Sequence, residues 1–303
     1  TAVILFVELV GGVVSHSLAL LSDAGHVLTD LIALGLAWFA TVQAGRPANA
    51  RNTYGYHRTG ILTALANALA LLLIVFFIGY EALRRLQRPT QVTPWIMFAA
   101  AAVSIAVNLY IAIGFRAAGS ENLNLRAALL HVIGDMGAAL GVLVAGLVIF
   151  VTRWYQADPI ISLLIALLIA RGAWNILHET VDILMEATPR GLNMAQLVGD
   201  MVRQPGITDV HDLHVWSIAG GMRALSAHVQ VKDGPLSDCD NLLAKLNALL
   251  QMRYGIAHST IQFECDCCDT SELYCTMRGQ NGHAHVDGLR QHELTPGGQG
   301  TGR

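Results

Sequence analysis

Charged residues are scarce in this chain: they make up 14% of its 303 residues, whereas hydrophobic residues make up 53%. Soluble globular proteins carry roughly 25% charged residues, so the composition excludes a soluble enzyme and a disordered chain. A net charge of −3 leaves no basic surface for phosphates, which excludes a nucleic-acid partner. The five cysteines are few and odd in number, which does not suit a disulfide framework. The sequence is therefore typical of an integral membrane protein.

The apolar residues fall into six runs. The first run has thirteen residues and no initiator Met before it, so we expect a first helix that is truncated at its start. This run also lacks the basic segment and the small-residue cleavage site of a signal peptide. The other five reach the roughly 17–25 residues that a bilayer-spanning helix needs. The six runs cover 2–14, 18–44, 61–83, 95–115, 127–151 and 160–177.

From Pro189 onward, short helix and strand patterns replace the long apolar runs. They predict an α+β domain in the order αββαβ, with a Gly-Gly turn between its first two strands. Ser237 and Asp240 are placed like a capping box and predict the start of the second helix. The expected elements are 193–203, 207–217, 222–231, 237–251 and 258–264. The expected domains are a transmembrane domain at 1–187, the αββαβ domain at 188–266 and a flexible tail with Cys and His at 267–303.

The loops and thiols indicate an orientation for the spans. Cytoplasmic loops of membrane proteins are enriched in Lys and Arg, and an N-terminus inside the cell gives five loop arginines inside against four outside. The thiols that follow the αββαβ domain suit a reducing compartment. Both termini are therefore expected in the cytoplasm, as an even number of spans allows. The inner loops would hold Arg46, Arg51, Arg58, Arg116 and Arg126, and the outer loops Arg84, Arg85, Arg88 and Arg153.

Two of the apolar runs carry the same pair of ionisable residues, His26 with Asp30 and His131 with Asp135. The i,i+4 spacing puts both side chains on one face of each helix. Ionisable residues inside a membrane are costly, so each is a candidate for function. Two such faces together would supply two imidazole nitrogens and two carboxylate oxygens, a tetrahedral set that Zn²⁺ accepts. The two carboxylates would also neutralise the charge of Zn²⁺.

The depths of the two pairs in the membrane agree as well. At about 1.5 Å per helical residue, His26 and Asp30 lie roughly 12 and 18 Å from Leu18 on the outer side. Asp135 lies about 13 Å from Arg126 on the inner side. In a hydrocarbon core of about 30 Å, these depths overlap near the middle. The alternative interpretation is that each His–Asp pair only holds helices together.

Three segments resemble signatures of the cation diffusion facilitator family. Residues 17–30 (SLALLSDAGHVLTD) resemble its second helix, residues 54–58 (YGYHR) the entry to its third helix, and residues 211–216 (HDLHVW) its cytoplasmic domain. The resemblance extends from Ala2 to about Glu264. It implies a membrane all-α bundle of six transmembrane helices plus an α+β ferredoxin-like cytoplasmic domain. It also implies a homodimer in the inner (plasma) membrane that is a transporter and not an enzyme.

The resemblance assigns a role to the two His–Asp pairs. By position, His26, Asp30, His131 and Asp135 would be the transport site for a metal ion that leaves the cell in exchange for protons. In this family, a His in place of the first acidic ligand goes with zinc, and all-acidic sites go with manganese or iron. The short loop 116–126 has no run of His, unlike many eukaryotic zinc transporters. These features indicate the bacterial zinc, cadmium and cobalt efflux branch.

Secondary metal sites are expected in the C-terminal part of the chain. His211 and His228 lie on neighbouring predicted strands, at positions that bind regulatory metal in some family members. Gln262 stands on the third strand, where a further ligand can occur. The alternative is a pair of surface histidines without metal. The thiols Cys265, Cys267, Cys268 and Cys275 would hold zinc or else form an oxidisable tail.

Other polar residues receive more open interpretations. His57 resembles a position near a second metal site in relatives, and the tail histidines His283, His285 and His292 would capture metal loosely or have no role. Glu8, Asn67 and Asn108 are expected to form helix–helix hydrogen bonds. Asp23 lies on a helix face similar to that of Asp30 and could help to gate ion access. Arg58 is expected either to pair with Glu186 or to extend its side chain to the membrane surface.

The expected mechanism is alternating access around the four mid-membrane ligands. Metal binding needs neutral His and ionised Asp, so protons compete for the same atoms. One rival is an intramembrane zinc hydrolase, which would need an open coordination position and a general base beside the metal. A second rival is a metal sensor, which would need neither six spans nor a mid-membrane site. A site of two His and two Asp suits zinc, cadmium and cobalt alike, so cadmium or cobalt is the alternative main substrate.

Overall fold

The computed structural model describes residues 1–117 and 123–265. Its elements follow the order that the sequence patterns predict, with six helices followed by an αββαβ arrangement. The first six helices are α1 Ala2–Ser15, α2 Leu18–Ala44, α3 Thr59–Gln87, α4 Pro94–Ala117, α5 Leu123–Thr152 and α6 Ala157–Leu184. The later elements are α7 Met194–Val202, β1 Ile207–Ala219, β2 Met222–Val231, α8 Leu236–Tyr254 and β3 Ile256–Glu264.

The described chain divides into two compact units. The first comprises Thr1–Met194 together with Val215–Leu225 and Asn247–Ser259. The second comprises Ala195–His214, Ser226–Leu246 and the described residues from Thr260 onward. All six long or apolar helices belong to the first unit.

Five of the described helices, α2 to α6, are long and apolar enough to cross a membrane, with mean hydropathies between 1.6 and 2.7. Helix α1 is apolar but has only 14 residues. Large apolar side chains lie on the outside of this unit: Trp38, Phe76 and Leu168 are 71%, 66% and 72% exposed. Faces of this kind are costly in water and stable in lipid, so they fit a membrane bundle. The predicted fold class is confirmed.

Small residues allow the membrane helices to approach one another closely. Ala68, Ala82, Ala139, Ala145 and Ala173 are all at most 1% exposed. In lipid, packing and hydrogen bonds rather than the hydrophobic effect hold helices together, and small residues at the crossings favour both. Larger side chains fill one cluster among α2, α4 and α5. This cluster is built around Leu20, Met97, Val142 and Ile149.

The start of α2 is fixed by a carboxylate from another helix. Ser17 is the N-cap, and its hydroxyl accepts a hydrogen bond from the Leu20 amide at 3.2 Å. Asp158, at the start of α6, accepts from the Ser17 hydroxyl at 2.5 Å and from the amides of Leu18 and Ala19 at 2.7 and 3.2 Å. An anionic side chain satisfies the free amides and the positive end of a helix dipole. This contact holds the helix that carries His26 and Asp30 in place.

The C-terminal αββαβ arrangement contains a three-stranded sheet in the order β1-β2-β3. Its first two strands are joined by Gly220 and Gly221, and Gly221 has a φ of 77° that suits glycine. The prediction that Ser237 caps α8 is wrong, because the helix already begins at Leu236. The amide of Asp238 instead donates to the Pro235 carbonyl at 3.0 Å.

Candidate metal sites

The four membrane residues singled out by the two HxxxD patterns lie together in the structure. His26 and Asp30 are on α2, and His131 and Asp135 are on α5. One ligand atom from each residue lies within 4.8 Å of all the others. We refer to these four residues as the membrane His/Asp group.

The imidazole–carboxylate distances within the membrane His/Asp group are close to those of a tetrahedral metal site. Each imidazole Nε2 faces both carboxylates: His131 lies 3.3 Å from Asp30 and 3.8 Å from Asp135. His26 lies 3.5 Å from Asp30 and 3.7 Å from Asp135. Zinc bonds of about 2.0–2.2 Å place neighbouring ligand atoms of a tetrahedron about 3.3–3.6 Å apart. The two Asp135 contacts use different carboxylate oxygens, and the four donors, one from each residue, lie within 4.8 Å of one another, so they could close around a metal ion by side-chain adjustment.

A cavity of about 280 Å³ adjoins the membrane His/Asp group. Asp30, His131 and Asp135 line it on one side. Its other polar lining comes from α1, α2 and α4 and comprises Glu8, Asp23, Ser104 and Asn108. Three of the four ligand side chains are only partly buried, and His131 is about half exposed. The group is thus accessible to an ion from within the bundle.

A second cluster lies in the αββαβ arrangement and comprises His211, His228 and Glu264. The Glu264 carboxylate bridges the two imidazoles: Oε2 lies 3.1 Å from His211 Nε2 and Oε1 lies 2.9 Å from His228 Nδ1. His211 and Glu264 are buried, and the two rings meet edge to face at 5.5 Å. We refer to these three residues as the C-terminal His/Glu group. Two imidazoles and a carboxylate are a ligand set that zinc accepts.

The third member of this group differs from the residue that the sequence suggested. Gln262 does not join the group; its amide donates to Glu264 Oε1 at 2.8 Å and orients that carboxylate. Asp212 adopts a left-handed backbone conformation (φ 46°), and its carboxylate reaches both His214, at 3.0 Å, and His228, at 3.5 Å. The irregularity at Asp212 shifts the alternation of β1, so that Val210 and His211 are both buried.

The remaining candidates are placed as follows. Among the described residues, His57 belongs to no group of metal-binding side chains. Cys265 is exposed. The residues Cys267, Cys268, Cys275, His283, His285 and His292 lie outside the described residues. The pairing of Arg58 with Glu186 is confirmed, with Nη2 and Oε1 2.9 Å apart.

Taken with the bundle, the membrane His/Asp group defines a multi-pass membrane protein that places metal-binding side chains within the bilayer. Two family models match the chain: the cation efflux transmembrane domain over residues 1–185 and the cation efflux protein cytoplasmic domain over residues 189–266. The chain therefore belongs to the cation efflux family of zinc, cadmium and cobalt transporters. Its relatives are named as transporters and antiporters, so it is a transporter and not an enzyme.

The similarity to individual relatives covers almost the whole chain. The zinc transporter ZitB of Escherichia coli (strain K12) is 41% identical over 288 residues, which are 94% of this chain and 90% of the relative. The cadmium, cobalt and zinc/H(+)-K(+) antiporter of Bacillus subtilis (strain 168) is 38% identical over 93% of this chain and 92% of the relative. The metal-bound C-terminal domain of the CzcD transporter from Cupriavidus metallidurans is 30% identical, covering 24% of this chain and 99% of that domain, with a TM-score of 0.23.

Proposed function

We propose that the protein is a proton-coupled efflux antiporter for divalent metal ions, with Zn²⁺ as its main substrate. The membrane His/Asp group would bind the ion, and the bundle would open alternately to the two sides of the membrane. The observation that carries this proposal is the convergence of two imidazoles and two carboxylates from two helices, with one ligand atom of each within 4.8 Å of the others. Without metal, the His131 imidazole can donate to the Asp30 carboxylate, since His131 Nε2 lies 3.3 Å from Asp30 Oδ2.

Protons act in this proposal by competing for the ligand atoms. Zinc binds neutral imidazole and ionised carboxylate, so each bound ion displaces protons from the group. A lower pH on the outer side would therefore release zinc there, and a higher pH in the cytoplasm would favour its binding. An ion with two positive charges and two carboxylates form a neutral complex. That neutrality lowers the cost of holding the loaded group within a membrane.

Cadmium and cobalt form the alternative substrate class. A set of two nitrogens and two oxygens binds all three ions, and affinity series alone do not choose among them. The Bacillus subtilis relative is named for cadmium, cobalt and zinc, and the Escherichia coli relative for zinc. The two nitrogens distinguish this group from an all-carboxylate site, which would suit manganese better.

The test is metal-dependent transport by the purified protein in one preparation of liposomes, with Zn²⁺, Cd²⁺, Co²⁺ and Mn²⁺ compared in parallel. The chain should move zinc and exclude manganese. The variant His26→Asp exchanges a nitrogen for an oxygen and should shift preference toward manganese. Equal transport of all four ions, or an unchanged preference in His26→Asp, would contradict the assignment. Asp182→Asn is a matched control, because Asp182 is exposed and pairs with Arg190 outside the group.

The proposal includes an arrangement in the cell. The transmembrane domain at 1–187 would lie in the inner (plasma) membrane with both termini in the cytoplasm. The αββαβ domain at 188–266 would then be cytoplasmic, as the description of the matching family model suggests. It would contribute to a homodimer and hold regulatory zinc at the C-terminal His/Glu group. The contacts of both imidazoles with one buried carboxylate support the binding of regulatory zinc, because they orient the two rings.

A further inference from the structure

Two buried carboxyl groups lie in the cavity beside the membrane His/Asp group. Glu8 of α1 is 1% exposed and Asp23 of α2 is 2% exposed. The two carboxyl groups are within hydrogen-bond reach of each other, and Glu8 also reaches Ser104 of α4. Glu8 Oε2 is buried without a hydrogen-bond partner, although Glu8 lines the cavity. We refer to Glu8 and Asp23 as the acid pair.

The position of the acid pair relates it to the metal ligands. Asp23 precedes Asp30 by seven residues on the same helix, or about 10 Å along its axis. That displacement is toward the turn between α1 and α2. The acid pair therefore lies about two helical turns from Asp30 along α2. It is at the end of the shared cavity that is nearer to the connection between α1 and α2.

The surroundings of the acid pair supply no compensating cation. Helix α4 contributes the neutral side chains Ser104 and Asn108, and α5 contributes His131 and Asp135 across the cavity. Arg85 of α3 lies near the helix ends, where it pairs with Glu81 at 2.9 Å and approaches Asp158 of α6 at 3.9 Å. Among the described ion pairs, none joins an Arg or Lys to the acid pair. The other ionisable neighbours on α2 are His26 and Asp30.

Two neighbouring carboxylates in a medium of low dielectric repel each other when both are ionised, and every further negative charge in the same cavity adds to that cost. A shared proton removes the repulsion and supplies the hydrogen bond between them. The acid pair is thus built to hold one proton in addition to those on the metal ligands.

We propose that the acid pair is a proton-binding site that releases one proton when the membrane His/Asp group binds its metal ion. This inference rests on the proposed function. An empty membrane His/Asp group that holds fewer than two protons is negatively charged and opposes a second negative charge at the acid pair. Zinc neutralises those two carboxylates, so the pair then loses its proton to water in the cavity, and its charge changes from −1 to −2. When the metal leaves, the pair takes up one proton again, and the coupling is reciprocal.

The test counts the protons released by zinc. The full-length protein in detergent is titrated with Zn²⁺ in weak buffer with a pH-indicator dye, and zinc affinity is measured between pH 6 and pH 8. Glu8→Gln and Asp23→Asn are isosteric, and the amide of either can donate to the remaining carboxylate, so the fold should persist. Each variant should release about one proton fewer per zinc. Its zinc affinity should vary about tenfold less per pH unit than that of the unmodified chain.

The controls separate this inference from the proposed function. Glu81→Gln removes a carboxylate that pairs with arginines outside the cavity and should leave proton release unchanged. Asp30→Asn should abolish high-affinity zinc binding, and normal binding in that variant would overturn the proposed function itself. Unchanged proton release in both Glu8→Gln and Asp23→Asn would overturn only the role of the acid pair. A second result would also overturn the role of the acid pair: a zinc affinity that depends on K⁺ in the unmodified chain but not in these variants. The acid pair would then bind K⁺.

Discussion

Replacement of Asp30 by Asn removes one of the two negative charges of the membrane His/Asp group but keeps the size and shape of the side chain. Asp30 Oδ2 lies 3.5 Å from His26 Nε2 and 3.3 Å from His131 Nε2, so it faces both nitrogen donors. The variant would leave a bound Zn²⁺ with one carboxylate and a net charge of +1 inside the membrane. We therefore expect a large loss of zinc affinity.

The magnitude follows from the charge that is lost. Two unit charges about 4 Å apart interact by about 4 kcal/mol at an effective dielectric constant of about 20. A metal–ligand bond is shorter and the ion carries two charges, but the amide oxygen can still coordinate, and a neutral side chain is less costly to desolvate. We therefore use the interaction energy of one pair of unit charges, about 4 kcal/mol, as the expected loss of binding free energy. Since about 1.4 kcal/mol corresponds to a factor of ten, zinc should bind about 10³-fold more weakly.

The assay is a competition titration of the purified protein with a zinc-binding dye, in parallel with Asp135→Asn and with Asp182→Asn as the control. Asp135→Asn should lose a similar factor, because Asp135 also faces both imidazoles. Asp182→Asn should bind zinc as the unmodified chain does. If Asp30→Asn retains its affinity within about threefold, a loss below about 1 kcal/mol, Asp30 is not a ligand and the tetrahedral group is refuted.

Two further variants test the C-terminal His/Glu group and the start of α2. Glu264→Gln should weaken zinc binding at the C-terminal His/Glu group by more than about tenfold, because a neutral amide replaces the anionic ligand of that group. The measurement uses the full chain with Asp30→Asn and Asp135→Asn, and an unchanged affinity would exclude Glu264 as a ligand. Asp158→Ala removes three hydrogen bonds to the start of α2 and should lower the free energy of unfolding in micelles by about 3 kcal/mol; a denaturant titration that shows no shift would contradict the capping role.

The membrane His/Asp group was accessible from the sequence because helix geometry is local and regular. The four-residue spacing in each HxxxD pattern places both side chains on one face whatever surrounds the helix. Only one long-range assumption was needed, that α2 and α5 face each other. The scarcity of charge within the spans made the four residues stand out against an apolar background.

Residues that act across the fold could not be found in this way. Asp158 lies 141 positions from Ser17, and no local pattern relates the start of α6 to the start of α2. Glu264 was missed because it lies two residues after Gln262 on β3, and strand alternation places both side chains on one face without choosing between them. The hydrogen-bond contact of Glu8 with Asp23 likewise depends on how α1 packs against α2.

Metal movement through the membrane His/Asp group should be coupled to protons. This coupling is tested most directly with Zn²⁺ uptake into sealed proteoliposomes that are acidic inside, measured with an enclosed zinc-sensitive dye. Zinc should accumulate above its outside concentration, and an ionophore that collapses the pH gradient should abolish this accumulation. Asp30→Asn and Asp135→Asn should show no accumulation. Zinc that only reaches its outside concentration, irrespective of the pH gradient, would contradict proton coupling. Equal accumulation in the two variants would contradict the role of the membrane His/Asp group.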